Sequence, residues 1–146
     1  CFWRWGKWGA PLLLRGWMRG TSKKLVKAAD NVLKEGNSDV ILCGRGIRTF
    51  ETATCFTLDI SAIPIIKKQS HLPVIVDPSH SAGKRELVLP LSLASVAVGA
   101  DGLIVETHPQ PEEARCDGSQ SLTSDEFMAY ADEVRRYVEM TGKQIS

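Results

Sequence analysis

Four short apolar runs constrain what this chain can fold into. They lie at 12–14, 40–43, 73–76 and 103–105, at intervals of about 30 residues. Each is rich in Leu, Val and Ile with no polar alternation, the pattern of strands buried on both faces. A helix-patterned segment follows each run, and no linker divides the chain. Strand–helix units repeated at this spacing predict α/β architecture with a parallel sheet, in one domain covering residues 1–146.

The connecting segments fit that reading. Leu25, Ala29 and Leu33 recur at helical spacing between Thr21 or Ser22 and Lys34, and Gly36-Asn37 supplies the stop. Residues 47–58 are polar and predict a long loop. Ile60, Ile63 and Ile66 predict a short helix, with Pro64 tolerable only in its first turn. Leu87 to Val98 predicts an apolar helix. Thr123-Ser124-Asp125-Glu126 has capping-box form, and it introduces a helix with Phe127, Tyr130, Val134 and Val138 on one face. Residues 1–10 carry three of the four tryptophans beside Arg4 and Lys7, which reads as the end of an amphipathic helix.

Composition excludes several function classes. The net charge of +1 gives no footprint for nucleic acid or an acidic membrane surface. No apolar run approaches the ~20 residues of a membrane span. Cys1, Cys43, Cys55 and Cys116 show neither CxxC pairing nor zinc spacing, and they read as reduced thiols in a cytoplasmic protein. There is no initiator Met and no signal peptide, so the chain is expected to be a fragment or a processed form.

Each strand ends in a polar or charged group: Arg15, Arg45, His80 and Glu106 in turn. In a parallel sheet these four share one rim, where α/β folds place their chemistry. Arg15 and Arg45 sit in Gly-rich turns where a guanidinium can fork onto phosphate. His80 and Glu106, with Asp117 in the next loop, suit a divalent ion such as Mn²⁺, Fe²⁺ or Zn²⁺. The plainer alternative is that Arg45 pairs with a carboxylate and His80 caps a helix.

Longer motifs add a resemblance. Ile41-Leu42-Cys43-Gly44-Arg45-Gly46-Ile47-Arg48-Thr49-Phe50-Glu51, Thr57-Leu58-Asp59-Ile60-Ser61-Ala62, Val76-Asp77-Pro78-Ser79-His80 and Asp117-Gly118-Ser119-Gln120-Ser121-Leu122 together resemble the class I 3-deoxy-D-arabino-heptulosonate 7-phosphate (DAHP) synthases. The likeness runs from about Gly6 to near the C-terminus. It implies the C-terminal half, four βα units, of a (β/α)₈ TIM barrel. The implied enzyme is a C–C bond-forming transferase joining phosphoenolpyruvate to erythrose 4-phosphate at the entry to aromatic amino acid biosynthesis. By motif, His80, Glu106 and Asp117 match three of the family's four metal ligands. Arg45 and His80 match substrate-facing positions, with His80 also catalytic; Arg15 is a substrate-binding candidate from its Gly-rich turn rather than by motif. The metal would polarise the aldehyde while C3 of phosphoenolpyruvate attacks it.

Departures accompany the matches. The family's cysteine ligand and its Lys-Pro-Arg-Thr segment belong to the first half of the barrel, and Cys43 lies in a different motif. The family's Pro-Val-Leu-Leu-Lys-Arg-Gly is Pro11-Leu12-Leu13-Leu14-Arg15-Gly16 here, one residue short and without the catalytic lysine. Gly44 replaces a glutamate, and Cys55-Phe56 replaces Arg-Asn. The chain alone is therefore expected to lack activity, and to be either a homo-oligomer or one half of a larger barrel. The alternatives are a non-catalytic half-barrel that keeps anion or metal binding, or a relative of the KDO-8-phosphate and sialic acid synthases.

Overall fold

A computed structural model describes residues 10–16 and 21–145. The expectation for the tryptophan-rich start falls, but for residue 10, outside this range. Strands β1 (Leu12–Gly16), β2 (Val40–Gly44), β3 (Val74–Val76) and β4 (Gly102–Leu103) form one sheet in the order β1-β2-β3-β4. All three pairings are parallel, as the repeat spacing predicts. The fourth strand is shorter than expected, two residues rather than three, and starts one residue earlier. The hydrogen bond from Ile104 N to Val76 O (2.9 Å) nevertheless carries the chain on beside β3.

Helices α1 (Ser22–Lys34), α2 (Ala62–Gln69), α3 (Pro78–Ala82), α4 (Val88–Ala97) and α5 (Ser124–Met140) connect and follow the strands. Pro64 is the third residue of α2, inside its first turn, where a missing N–H breaks no intrahelical bond. Helix α3 was not expected. Its five residues are Pro-Ser-His-Ser-Ala, which carry no amphipathic period, and Asp77 rather than an apolar pattern starts it. The segment expected as one helix from Leu87 begins instead as a 3₁₀ turn over Arg85–Leu87 and becomes α-helical at Val88. The Thr123/Glu126 capping box forms in full at α5.

The core divides in two. Leu14, Leu42, Val74 and Val76 point from the sheet onto Leu25, Ala29 and Val32 of α1 and Ile63 and Ile66 of α2. Val88 and Val96 of α4 meet Tyr130, Val134 and Val138 of α5 in a second cluster. There the Ser92 hydroxyl lies 2.8 Å from the Tyr130 hydroxyl and answers an otherwise orphaned polar atom. Phe127 departs from the expected face: it is 37% exposed and stacks on Tyr130, 6.1 Å between ring centroids.

The opposite face of the sheet has a different fate. Leu13 and Ile104 are 36% and 37% exposed, and Ile41 and Ile75 are half-buried. Period-2 alternation puts helices over one set of side chains and leaves the other set unpacked. Leu42→Ala should therefore cost about 2–5 kcal/mol through the cavity it opens. Leu13→Ala, on the open face, should cost less than about 1 kcal/mol. Urea unfolding of the two variants checks this, and equal losses would show that both faces are covered.

Candidate functional site at the carboxyl rim

Because the strands are parallel and in register, their carboxyl ends meet at one edge. Arg15, Cys43 and Ile75 are neighbours across the sheet, and Asp77 follows directly on β3. Its N–H donates to Gly44 O at 2.8 Å, which continues the ladder one step past the strand. Asp77 then caps α3, its Oδ1 accepting from the backbone N–H of His80 at 3.0 Å. The plainer sequence alternative, in which His80 caps a helix, does not hold: Asp77 caps, and the His80 amide is the group capped.

The side chain of Asp77 does more. Only 1% exposed, it accepts from His80 Nδ1 at 3.0 and 2.9 Å through its two oxygens, and it forms an ion pair with Arg15. Arg15 Nη2 also lies 3.5 Å from His80 Nδ1. The shorter carboxylate contacts decide the tautomer: an ionised carboxylate only accepts, so Nδ1 carries the hydrogen. Nε2, which carries a lone pair in the neutral ring, is then directed at the two remaining acidic groups, Glu106 Oε2 at 3.8 Å and Asp117 Oδ2 at 3.6 Å.

Separate devices deliver those two carboxylates. The Ser79 hydroxyl accepts from Glu106 N at 3.0 Å and fixes the end of the fourth unit against α3. A parallel bridge between Thr107 and Leu122 draws the following loop back alongside. Asp117 sits in that loop at φ +58°, a left-handed conformation that aspartate tolerates better than most residues. Gln120 Nε2 donates to Asp117 Oδ1 at 2.8 Å, leaving Oδ2 turned to His80. Gly118 is required by close approach, since a Cβ there would overlap the Pro111 carbonyl oxygen.

Arg45 follows β2. Its Nε is buried with no hydrogen-bond partner, and it forms no ion pair among the described residues, against the plainer sequence alternative. Beyond it, Gly46 (φ +92°) opens the 47–58 loop, which an Ile47–Thr57 bridge closes back on itself. In place of the family's Arg-Asn, Phe56 lies under the Arg48 guanidinium, 5.4 Å from the ring centroid. Cys55 packs against Gly83.

The donor set can be tested against a divalent ion. Two oxygens and an imidazole lone pair that face one another without an intervening hydrogen repel, and a cation between them removes the conflict. Donors around one ion with bonds of roughly 2.1 Å stand roughly 3.0–3.4 Å apart. The spacings here are a few tenths of an ångström wider, and no trio among the described residues is closed into metal-holding geometry as it stands. One imidazole, two carboxylates and a carboxylate behind the imidazole fit such an ion in kind. The structure thus brings His80, Glu106 and Asp117 together, with Arg15 tied in through Asp77. Asp77, Ser79 and Gln120 escaped the sequence reading. The one signal was the Asp-x-x-His spacing of a helix cap directly after a strand, and it marks Asp77 alone.

These features define a class: half of a parallel βα barrel, with an acidic and imidazole cluster at its carboxyl rim. The chain belongs to the DAHP synthetase I family, whose sequence model matches residues 5–142. It is 49% identical over 141 residues to the phospho-2-dehydro-3-deoxyheptonate aldolase of Thermotoga maritima, covering 97% of this chain and 42% of that protein. Against the 2-dehydro-3-deoxyphosphooctonate aldolase of Rhodopseudomonas palustris it is 39% identical, over 64% of this chain and 36% of the relative. The crystal structure of the Thermotoga maritima DAHP synthase superposes with a TM-score of 0.96 at 48% identity, over 99% of this chain and 43% of that one. The chain therefore spans about two-fifths of the curated relatives it matches. No helix among the described residues is long and apolar enough to cross a membrane.

Cys43 reports on how closed the rim is. Burial pushes its thiol up to about 11, Asp77 adds to the shift, and Arg15 and Arg45 oppose it. At pH 8 roughly one part in a thousand is thiolate, the form that reacts. Iodoacetamide should therefore label exposed Cys55 and Cys116 well before Cys43, which should react only after unfolding. Mass spectrometry of a timed reaction reads this, and labelling of Cys43 at the rate of Cys55 would contradict it.

Proposed function

We propose that this chain is the C-terminal half of a DAHP synthase barrel, contributing the metal and anion side of a site that condenses phosphoenolpyruvate with erythrose 4-phosphate. The observation that carries this reading is the orientation of His80: Nδ1 is held by Asp77 and Nε2 is presented to Glu106 and Asp117. His80, Glu106 and Asp117 would hold the ion, of the Mn²⁺, Fe²⁺ or Zn²⁺ kind. Such an ion supplies Lewis-acid polarisation of a carbonyl oxygen. The chain's own residues do the rest. Arg45 Nε, a buried donor without an acceptor, would take an oxygen of the phosphate or carboxylate of phosphoenolpyruvate, since leaving such a donor unpaired costs about 1–3 kcal/mol. Arg15 would add positive charge beside the same anion while holding Asp77. His80, braced from behind, would keep one face of the enol substrate oriented toward the aldehyde.

Activity requires the other half. The apolar face of Leu13, Ile41, Ile75 and Ile104 and the outer edges of β1 and β4 have no covering element among the described residues. Open edges and bare apolar faces associate. The chain alone should therefore self-associate in light scattering. It should also consume no phosphoenolpyruvate when supplied with erythrose 4-phosphate and Mn²⁺. A stable monomer that turns over substrate would overturn this division of labour. Calorimetric titration with Mn²⁺ tests the site itself: His80→Ala should weaken binding at least about 10-fold, one ligand's share of a three-ligand site. Equal binding by the two proteins would remove the metal reading.

A further inference from the structure

Asp77 has four hydrogen-bonding contacts and almost no solvent. A helix cap alone does not call for it, since Asn or Ser caps as well as Asp. Nor does burial favour it, because a buried carboxylate is costly unless it is paired. What distinguishes aspartate from the other capping residues is that both oxygens accept and neither donates. All its partners here are donors: the His80 amide, His80 Nδ1 and the Arg15 guanidinium.

We infer that Asp77 is a positioning residue, which locks His80 in the Nδ1–H tautomer and so sets how strongly Nε2, with Glu106 and Asp117, receives a divalent cation. Arg15, reaching across β2 from β1, compensates the charge of Asp77 and holds its Oδ2. One buried carboxylate thereby couples the first and third strands to the cation-facing nitrogen. The tautomer follows from the hydrogen bonds alone; the effect on cation affinity rests on the proposed metal reading.

Asp77→Asn separates these roles. Its size is unchanged, and with Oδ1 kept on the cap of α3 its NH₂ group takes the place of Oδ2, which touches both Arg15 and His80 Nδ1. Donor then faces donor at Arg15, whose side chain reaches solvent and can withdraw, while the NH₂ donates to Nδ1 and makes that nitrogen an acceptor. The hydrogen then moves to Nε2, where it points at Glu106 and Asp117 and closes the lone pair. An amide in place of a carboxylate behind a histidine inverts a tautomer in this way.

The test uses ¹⁵N chemical shifts of the neutral His80 ring in metal-free protein, followed by calorimetric titration with Mn²⁺. The expected result is Nδ1–H in the wild type, Nε2–H in Asp77→Asn, and Mn²⁺ affinity about 10- to 100-fold lower in the variant. A helix capped but not oriented by Asp77 would leave the tautomer unchanged, and that result overturns the inference. An Nε2–H ring in the wild type overturns it too, whether or not the variant folds. If the tautomer inverts while the wild type shows no Mn²⁺ binding, the positioning role stands and the metal reading fails. If the tautomer inverts but both proteins bind Mn²⁺ equally, the link from tautomer to affinity is overturned.

Discussion

The rim depends on parallel register. In-register pairing from Leu12↔Val40 through Val76↔Leu103 brings all four strands to their carboxyl ends along one edge, so residues about 30 positions apart in sequence become side-by-side neighbours. An antiparallel pair would send alternate ends to the opposite edge and scatter the charged groups. The helices packed on one side hold that register, because a one-residue slip would turn Leu42 and Val74 out of the core and Ile41 and Ile75 into it.

On this frame the site is built from supports more than from the groups that face the cation. The His80 ring is oriented by Asp77 and the Asp117 carboxylate by Gln120, while Ser79 holds the backbone N–H of Glu106. The first two supports consume hydrogen-bonding capacity that would otherwise let the side chain rotate; the third fixes only where the chain of Glu106 runs. Each also comes from a different local device: a helix cap, a left-handed loop residue with a glycine after it, and a hydroxyl from the short helix. Arg45 is the exception, its buried Nε having no hydrogen-bond partner among the described residues.

The departures from the family pattern lie beside this cluster. Gly44 is the last residue of β2, and Phe56 and Cys55 lie in the loop that packs onto α3 through Phe56 N–Ser81 O and Cys55 N–Ala82 O at 2.8 and 3.1 Å. Those contacts use backbone atoms, which every residue carries, so the loop keeps its path while its side chains change. Phe56 finds a use as a surface for Arg48. The geometry of His80, Glu106 and Asp117 is thus kept apart from losses at neighbouring positions.

Much of this was determined by the sequence on its own. Apolar runs at βα spacing sufficed for a parallel sheet in sequential order, the Thr123–Glu126 box for the start of α5, and the strand-terminal residues for the location of the rim. These are local signals, carried by period, capping and turn chemistry. Tertiary structure alone decided what depended on pairing across the chain. The face of α5 that is buried excludes Phe127. The β4 ladder ends after two residues, since pairing length is a property of two strands. Above all, nothing in the sequence assigned Asp77 a role of its own, and only the arrival of Arg15 from 62 positions away made it a paired, buried carboxylate behind His80. No sequence period records such a contact, because it depends on two strand ends being brought together by a third strand between them.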